Sequence, residues 1–224
     1  IMSKKQSTRE KIIQSCLSSA GEKGAGATSL SDISDMLEIK KASLYNHFTS
    51  RDDMYVATLE YCSAEILNST FMPKAVVDAA AANKTSAVSY LKKAITQYFK
   101  LFECDPFFKM YVFIHAEQYF NRQALDIVQA DYKRLSEQLR DALKTFKKAG
   151  KCDFDDKELK DICASIVSVM TNQLDQYIAR KQDIIRQNPD TGVGSLFALP
   201  TDEAQLESNL RVIELNLKKI VVFP

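Results

Sequence analysis

Apolar residues recur at intervals of three and four along most of the chain, a spacing that places side chains on one face of an α-helix. The clearest stripes run through residues 12–20, 91–102, 125–146, 159–177 and 206–220. No stretch alternates apolar and polar residues well enough to indicate a β-strand. The pattern therefore predicts an all-α protein.

Proline, glycine and hydroxyl residues indicate where several of these helices begin or end. Pro106 stands where a helix can start, and Gly150 can terminate the long helix before it. Thr201 is predicted to cap the last helix. Residues 71–85 contain a proline and a run of alanines, which predicts a break followed by a short helix or loop.

Between residues 28 and 54 the pattern changes to two short helices, a tight turn and the start of a third helix. One edge of the pair is apolar: Leu30, Ile33, Leu37, Leu44 and Phe48. The opposite edge of the second helix is basic and can form hydrogen bonds: Lys40, Lys41, Ser43, Asn46 and His47. This is the geometry of a helix-turn-helix, whose second helix enters the major groove of DNA, although a helical hairpin in any all-α domain has the same spacing.

The residues of this segment are more specific than their spacing. The strings TSLSDIS and LEIKKASLYNHFTSRDDM resemble the DNA-binding segment of the tetracycline-repressor (TetR) family of bacterial regulators. In that family a Leu-Tyr-x-His-Phe string is followed by a basic residue, and Leu44, Tyr45, His47, Phe48 and Arg51 match it in order. The resemblance covers about residues 8 to 60. It implies a three-helix N-terminal DNA-binding domain, residues 1–53, and a larger helical effector-binding and dimerisation domain, residues 54–224.

The resemblance also implies which residues contact DNA. Thr28, at a helix start, together with Tyr45, His47 and Arg51, matches positions that contact phosphate and so position the protein without reading sequence. Lys41, Ala42 and Ser43 are expected to meet base edges. The full predicted DNA-binding set is Thr28, Lys40, Lys41, Ala42, Ser43, Tyr45, Asn46, His47 and Arg51.

Two residues depart from the family pattern. Glu38 stands where the family commonly has glycine, which costs on the order of 1 kcal/mol if the turn needs a positive φ there. Lys40 replaces the usual hydroxyl cap of the second helix, removing about 1 kcal/mol of capping but adding a cation. The turn and the start of the second helix are therefore predicted to be less rigidly fixed than in relatives of the family, whereas the exposed edge is more basic.

Aromatic residues are concentrated in the middle of the chain, where nine of the 21 lie between Tyr98 and Phe120. Such a stripe can be packed core, but the family's larger domain commonly encloses an effector site, and ring-lined pockets with a few polar groups bind small molecules. We predict a hydrophobic or aromatic ligand and the following ligand-binding residues: Phe102, Phe108, Tyr111, His115 and Tyr119.

The last two long helices carry apolar residues on more than one face, with Val167, Val169 and Ile178 lying outside the main stripe. A second apolar face needs a second partner. The family pairs its last two helices across a two-fold axis, so a homodimer is the preferred interpretation, with a monomer of thicker core as the alternative.

Charge and composition narrow the function further. Residues 1–51 carry eight basic against five acidic side chains, a net charge of +3 in a chain whose total is only +1. There is no zinc-spaced Cys/His cluster, glycine-rich phosphate loop or Gly-x-Ser-x-Gly motif, so we expect no enzyme, metal or cofactor. With no apolar run long enough to span a membrane, a cytoplasmic protein is expected. The five widely spaced cysteines indicate reduced thiols, with a thiol sensor as a less favoured alternative.

Together these features predict a ligand-responsive transcriptional regulator that binds operator DNA as a homodimer and is released by a small effector. Repression is the expected outcome of binding, and activation is left open. The alternative is a DNA-binding protein of the same fold that has no small-molecule effector and responds to a protein partner.

Overall fold

The computed structural model describes residues 7–188 and 201–222. Within them the regular structure is helical, apart from an isolated antiparallel bridge between Asp153 and Val222. The described helices are α1 (Thr8–Lys23), α2 (Leu30–Met36), α3 (Lys41–Leu44), α4 (Arg51–Asn68), α5 (Lys74–Ala82), α6 (Ala87–Phe102), α7 (Phe107–Glu117), α8 (Arg122–Lys148), α9 (Leu159–Gln187) and α10 (Glu203–Ile220). The all-α prediction is confirmed.

The chain divides into two compact units, and α8 contributes to both. The first unit comprises Ile1–Ser69 and Asp105–Asp131, and the second comprises Thr70–Cys104 and Tyr132–Pro224. The first unit is built on a core drawn from the first four helices and the turn after α3: Ile12, Ile13, Cys16, Ile33, Leu44, Phe48, Met54 and Ala57. The apolar edge predicted for the two short helices faces this core.

Helix α7 belongs to the first unit, where it packs on α1 and α4. Gly21 permits a close approach to α7, because a Cβ atom there would lie 3.0 Å from Cβ of Lys109. The Lys109 ammonium lies 2.7 Å from Oγ of Ser18 and 3.3 Å from a carboxylate oxygen of Glu22. At the other end of α7, the Tyr55 hydroxyl donates to Glu117 at 2.6 Å.

The predicted boundary between a DNA-binding domain and an effector-binding domain, placed between residues 53 and 54, remains a prediction. In the fold, Met54 is buried with the core of the three preceding helices.

The second unit is organised around α6, α9 and α10. Ring contacts link Phe71 to Tyr98 at 5.2 Å and Tyr98 to Phe102 at 5.0 Å between ring centroids. Of the three residues from which a second apolar face was predicted, Val167 and Ile178 are buried within the single chain and Val169 is half-buried. The two buried residues therefore do not need a second subunit to cover them.

Polar side chains pair with backbone groups at the end of α5 and at the start of α10. The Lys151 ammonium donates to three backbone carbonyls at and just after the end of α5, those of Ala80, Asn83 and Thr85.

The last helix begins one residue later than predicted, because Asp202 provides the side-chain cap by accepting from the Gln205 amide at 3.0 Å. The predicted Thr201 cap is wrong, since its hydroxyl donates to the Glu103 carboxylate at 2.9 Å.

Within residues 7–188 and 201–222, no helix holds an apolar stretch that could cross a bilayer. Over the same ranges, no three or more His, Cys, Asp or Glu side chains come together as a metal site. All five cysteines are free thiols, and Cys104 is exposed while the other four are buried.

Candidate nucleic-acid interface

Helix α2 is held at its start by a reciprocal cap. The Asp32 amide donates to the Ser29 hydroxyl at 3.2 Å, and the Ser29 amide donates to the Asp32 carboxylate at 2.6 Å. The Lys23 ammonium lies 2.7 Å from the same carboxylate. The hydrogen bonds from Lys23 and Ser29 together lower the pKa of Asp32 to about 2. The predicted cap spacing is thus realised, and it ties the end of α1 to the start of α2.

The turn after α2 adopts a left-handed conformation at Glu38, whose φ is 54°. The Glu38 amide donates to the Asp35 carbonyl at 3.1 Å, and the Ile39 amide donates to the Ser34 carbonyl at 3.0 Å. This pair of bonds defines a Schellman motif, in which glycine is favoured at the position that Glu38 occupies. The turn therefore needs the positive φ on which the predicted cost of Glu38 depended.

The second helix of the motif is short. Only Lys41–Leu44 is α-helical, and the chain continues in turns through Tyr45, Asn46 and His47. Lys40 stands at the N-cap without a capping side-chain hydrogen bond, as its identity predicted. Leu44 and Phe48 remain one turn apart, because the Phe48 amide donates to the Leu44 carbonyl at 3.1 Å, and both side chains are buried.

Seven of the nine predicted DNA-binding residues lie on this segment, opposite the buried Leu44. Six of them are exposed and Ser43 is half-buried: Lys40, Lys41, Ala42, Ser43, Tyr45, Asn46 and His47. Tyr45 exposes 54% of its surface, a large fraction for an aromatic residue. The segment can therefore present two ammonium groups, a phenol, an amide and an imidazole to a partner from one edge.

Thr28 and Arg51 are placed differently. Thr28 is buried, and its hydroxyl donates to the Gly24 carbonyl at 3.0 Å and accepts from the Ser19 hydroxyl at 3.1 Å. The Arg51 guanidinium donates from Nε to the Thr28 carbonyl at 3.1 Å and from Nη2 to the Ala25 carbonyl. Both predicted phosphate contacts remain predictions, but both side chains already have partners within the protein.

The predicted ligand-binding residues are divided between the two units, and their role in ligand binding remains a prediction. Phe102 is a core residue of the second unit, whereas Phe108, Tyr111, His115 and Tyr119 lie in the first. Phe108 and Tyr111 are buried, but Tyr119 is 80% exposed. Tyr119 lies in the turn that follows α7, which ends at Glu117.

Tyr111 and His115 form a stacked pair one helical turn apart. Their ring centroids are 3.8 Å apart with an interplanar angle of 12°. Burial lowers the pKa of His115 to about 4, so its imidazole is neutral near pH 7. A neutral ring can donate one hydrogen bond and accept one, but it carries no charge with which to form an ion pair.

A cavity of about 240 Å³ in the second unit was not foreseen from the sequence. It lies where α6 ends and where the described parts of α9 and α10 meet, and Glu103, Tyr177, Lys181 and Ile184 contribute to its lining. The buried Glu103 carboxylate accepts hydrogen bonds from the hydroxyls of Tyr177 and Thr201. No periodicity could have indicated this cavity, because Glu103 lies about 75 to 100 residues before the rest of its lining.

Comparison with known proteins identifies relatives of both the DNA-binding segment and the fold. The family described as "Bacterial regulatory proteins, tetR family" matches residues 12–58. A 54-residue stretch is 41% identical to the biofilm operon icaADBC HTH-type negative transcriptional regulator IcaR of Staphylococcus epidermidis, and the match covers 24% of this chain and 29% of that protein.

Solved structures resemble the chain over nearly its whole length. A TetR-like transcriptional regulator from Rhodococcus sp. RHA1 superposes with a TM-score of 0.59 at 16% identity, over 97% of this chain and 98% of its own. SmeT, the repressor of the Stenotrophomonas maltophilia multidrug efflux pump SmeDEF, superposes with a TM-score of 0.54 at 14% identity, over 96% and 91% of the two chains. At these identities the likeness concerns the fold. The comparisons agree with the expectation of a regulator and not an enzyme.

Proposed function

Because the chain belongs to the tetR family of bacterial regulatory proteins through residues 12–58, we propose that it is a transcriptional repressor that binds operator DNA as a homodimer. The observation that carries the proposal is the exposed polar and basic edge at residues 40–47, set on a buried helix-turn-helix core. Lys41, Ala42 and Ser43 are proposed to read base edges, and Tyr45 and His47 to contact phosphates. The proposed location is the cytoplasm, where such a protein meets its operator.

A homodimer through α9 and α10 is part of the proposal. The support from the fold is an exposed apolar pair on α10, with Val212 44% and Leu215 56% exposed. Dimeric helix-turn-helix proteins place two recognition helices about one DNA turn, roughly 34 Å, apart, which matches the symmetry of an operator with two half-sites.

A small hydrophobic or aromatic effector is proposed to release the repressor from DNA. The cavity near Glu103 and Tyr177 supports a ligand site in the second unit. The stacked Tyr111 and His115 rings remain the site predicted from the sequence. Such an effector must bind the form that cannot engage the operator more tightly than the form that can, since equal affinity shifts no equilibrium.

The experiment that tests DNA binding is a titration of the purified protein against its own promoter-proximal DNA, at several salt concentrations and with random competitor DNA. We expect tight binding that survives the competitor and weakens steeply with salt, because ammonium groups displace counterions from phosphates. Equal, weak binding to both DNAs would refute specific recognition at that promoter, and selection from random DNA would then test for another operator.

Two substitutions separate the proposed roles. Lys41→Ala should weaken operator binding more than random-DNA binding, because it removes a base contact. Tyr45→Phe should weaken both alike, because it removes only a phosphate contact. If Lys41→Ala produces equal losses on the two DNAs, Lys41 does not read bases.

The effector is tested separately. Raised melting temperature in the presence of small hydrophobic or aromatic compounds, together with release from DNA, would support a ligand-responsive repressor. Regulation by a protein partner instead predicts no such compound and a partner that copurifies with the chain.

A further inference from the structure

The loop between α1 and α2 is poor in side chains that could hold it in place. It begins at Gly24, which ends α1 with a φ of 87°, and continues through Ala25, Gly26 and Ala27. A Cβ atom at Gly26 would meet no neighbour within 4 Å. Glycine and alanine supply little packing, and glycine loses more conformational freedom on ordering than any other residue. Within the loop, the Thr28 hydroxyl bonds to the Gly24 carbonyl and the Ser19 hydroxyl, and contacts from α4 can add to this restraint.

Arg51 provides such contacts from the first turn of α4. Its Nε–H donates to the Thr28 carbonyl at 3.1 Å, and its Nη2 donates to the Ala25 carbonyl. Ala25 and Thr28 stand at the two ends of a tight turn, in which the Thr28 amide donates to the Ala25 carbonyl at 3.2 Å. Arg51 thus contacts both ends of this turn. A guanidinium is suited to this task because its N–H groups form a rigid planar fork, whereas an ammonium is a point charge on a flexible stem.

The Arg51 side chain is exposed to solvent, and part of it lines a small pocket with Ala25, Ile33, Met54 and Tyr55. The free volume of this pocket, about 10 Å³, is too small for a ligand. The hydrogen bonds to the two carbonyls therefore orient the guanidinium towards the loop. The loop that it holds leads through Thr28 to the Ser29 cap, so Arg51 sets where α2 begins relative to α4.

We propose that Arg51 is a positioning residue for DNA binding, which holds the α1–α2 loop and thereby the helix-turn-helix, and that it is not a phosphate contact. This inference rests on the DNA-binding function proposed above. It assigns to Arg51 a role that differs from the one implied by the family resemblance.

The test compares Arg51→Lys and Arg51→Gln with Arg122→Gln, a matched control on α8 of the same unit whose side chain is 80% exposed. Operator affinity is measured at several salt concentrations, well below the melting temperature of each variant. If Arg51 positions the loop, both Arg51 variants lose about tenfold or more in affinity, because a lysine cannot reproduce the two-carbonyl fork. The slope of log affinity against log salt stays that of the unchanged protein, and Arg122→Gln changes neither quantity.

Two other results would overturn the proposal. A phosphate contact predicts that Arg51→Lys keeps its affinity while Arg51→Gln lowers the salt slope by about one. A role in stability alone predicts lower melting temperatures with unchanged operator affinity.

Hydrogen exchange without DNA distinguishes failure of this inference from failure of the proposed function. Faster exchange of the Thr28 amide in both Arg51 variants, but not in Arg122→Gln, is expected if Arg51 holds the loop. Unchanged exchange overturns the anchoring role even if the protein binds DNA. If the unsubstituted protein binds no DNA specifically, the proposed function fails, and exchange still reports whether the anchor exists.

Discussion

Glu38 occupies a backbone conformation that disfavours its own side chain, and replacing it with glycine should stabilise the protein. Its φ of 54° places it in the left-handed region. That conformation costs an L-residue with a Cβ atom about 1–2 kcal/mol. Glycine avoids this cost but loses about 0.4–1 kcal/mol by increasing the freedom of the unfolded chain. The net expectation for Glu38→Gly is a stabilisation of about 0.5–1 kcal/mol.

The control for this prediction is Glu38→Ala. Alanine removes the same exposed carboxylate but keeps the Cβ atom, so it leaves the backbone cost in place. Glu38→Asn is expected to fall between the two, because asparagine tolerates the left-handed region better than most residues. The two hydrogen bonds of the turn use backbone atoms only, so all three variants can retain them.

The assay is urea and thermal unfolding followed by the helical circular-dichroism signal, since the chain contains no tryptophan for fluorescence. For a chain of this size, 1 kcal/mol corresponds to about 2–4 °C in melting temperature. We therefore expect Glu38→Gly to melt about 1–4 °C higher and Glu38→Ala to show no gain. Equal gains from glycine and alanine would refute the backbone argument and assign the effect to the lost charge.

Three further predictions concern other parts of the fold. His115 has a folded pKa of about 4 against an ordinary 6.5, so the unfolded chain binds its proton first and stability falls as the pH drops from 6.5 towards 4. At about pH 5 this loss should reach about 2 kcal/mol, and urea unfolding of His115→Leu, compared at pH 7 and pH 5, should lack it. Lys151→Met should destabilise the protein by about 2 kcal/mol by leaving the three carbonyls near the end of α5 unpaired, whereas exposed Lys148→Met should have little effect in the same assay. A thiol reagent should label Cys104 rapidly and the other four cysteines only on unfolding, and rapid labelling of a second thiol would contradict the observed burial.

Local sequence determined the helices and most of the helix-turn-helix. Helical periodicity depends on residues three and four apart, so the apolar stripes at residues 12–20, 125–146 and 159–177 each fall within one observed helix, α1, α8 and α9. The family resemblance indicated that Glu38 stands where glycine is common and that Lys40 replaces a hydroxyl cap, and the structure has a positive φ at Glu38 and no side-chain cap at Lys40.

Contacts between residues distant in sequence could be learned only from the tertiary structure. Whether an apolar residue faces its own chain or a partner depends on distant helices, and Val167 and Ile178 proved to be buried within one chain. The Arg51 guanidinium reaches carbonyls 23 and 26 residues away, a contact that no spacing rule encodes. The sequence by itself therefore determined an all-α chain with a helix-turn-helix. Only long-range packing decided that α7 joins that motif, and that an arginine expected on phosphate holds a loop, because each depends on side chains brought together by folding.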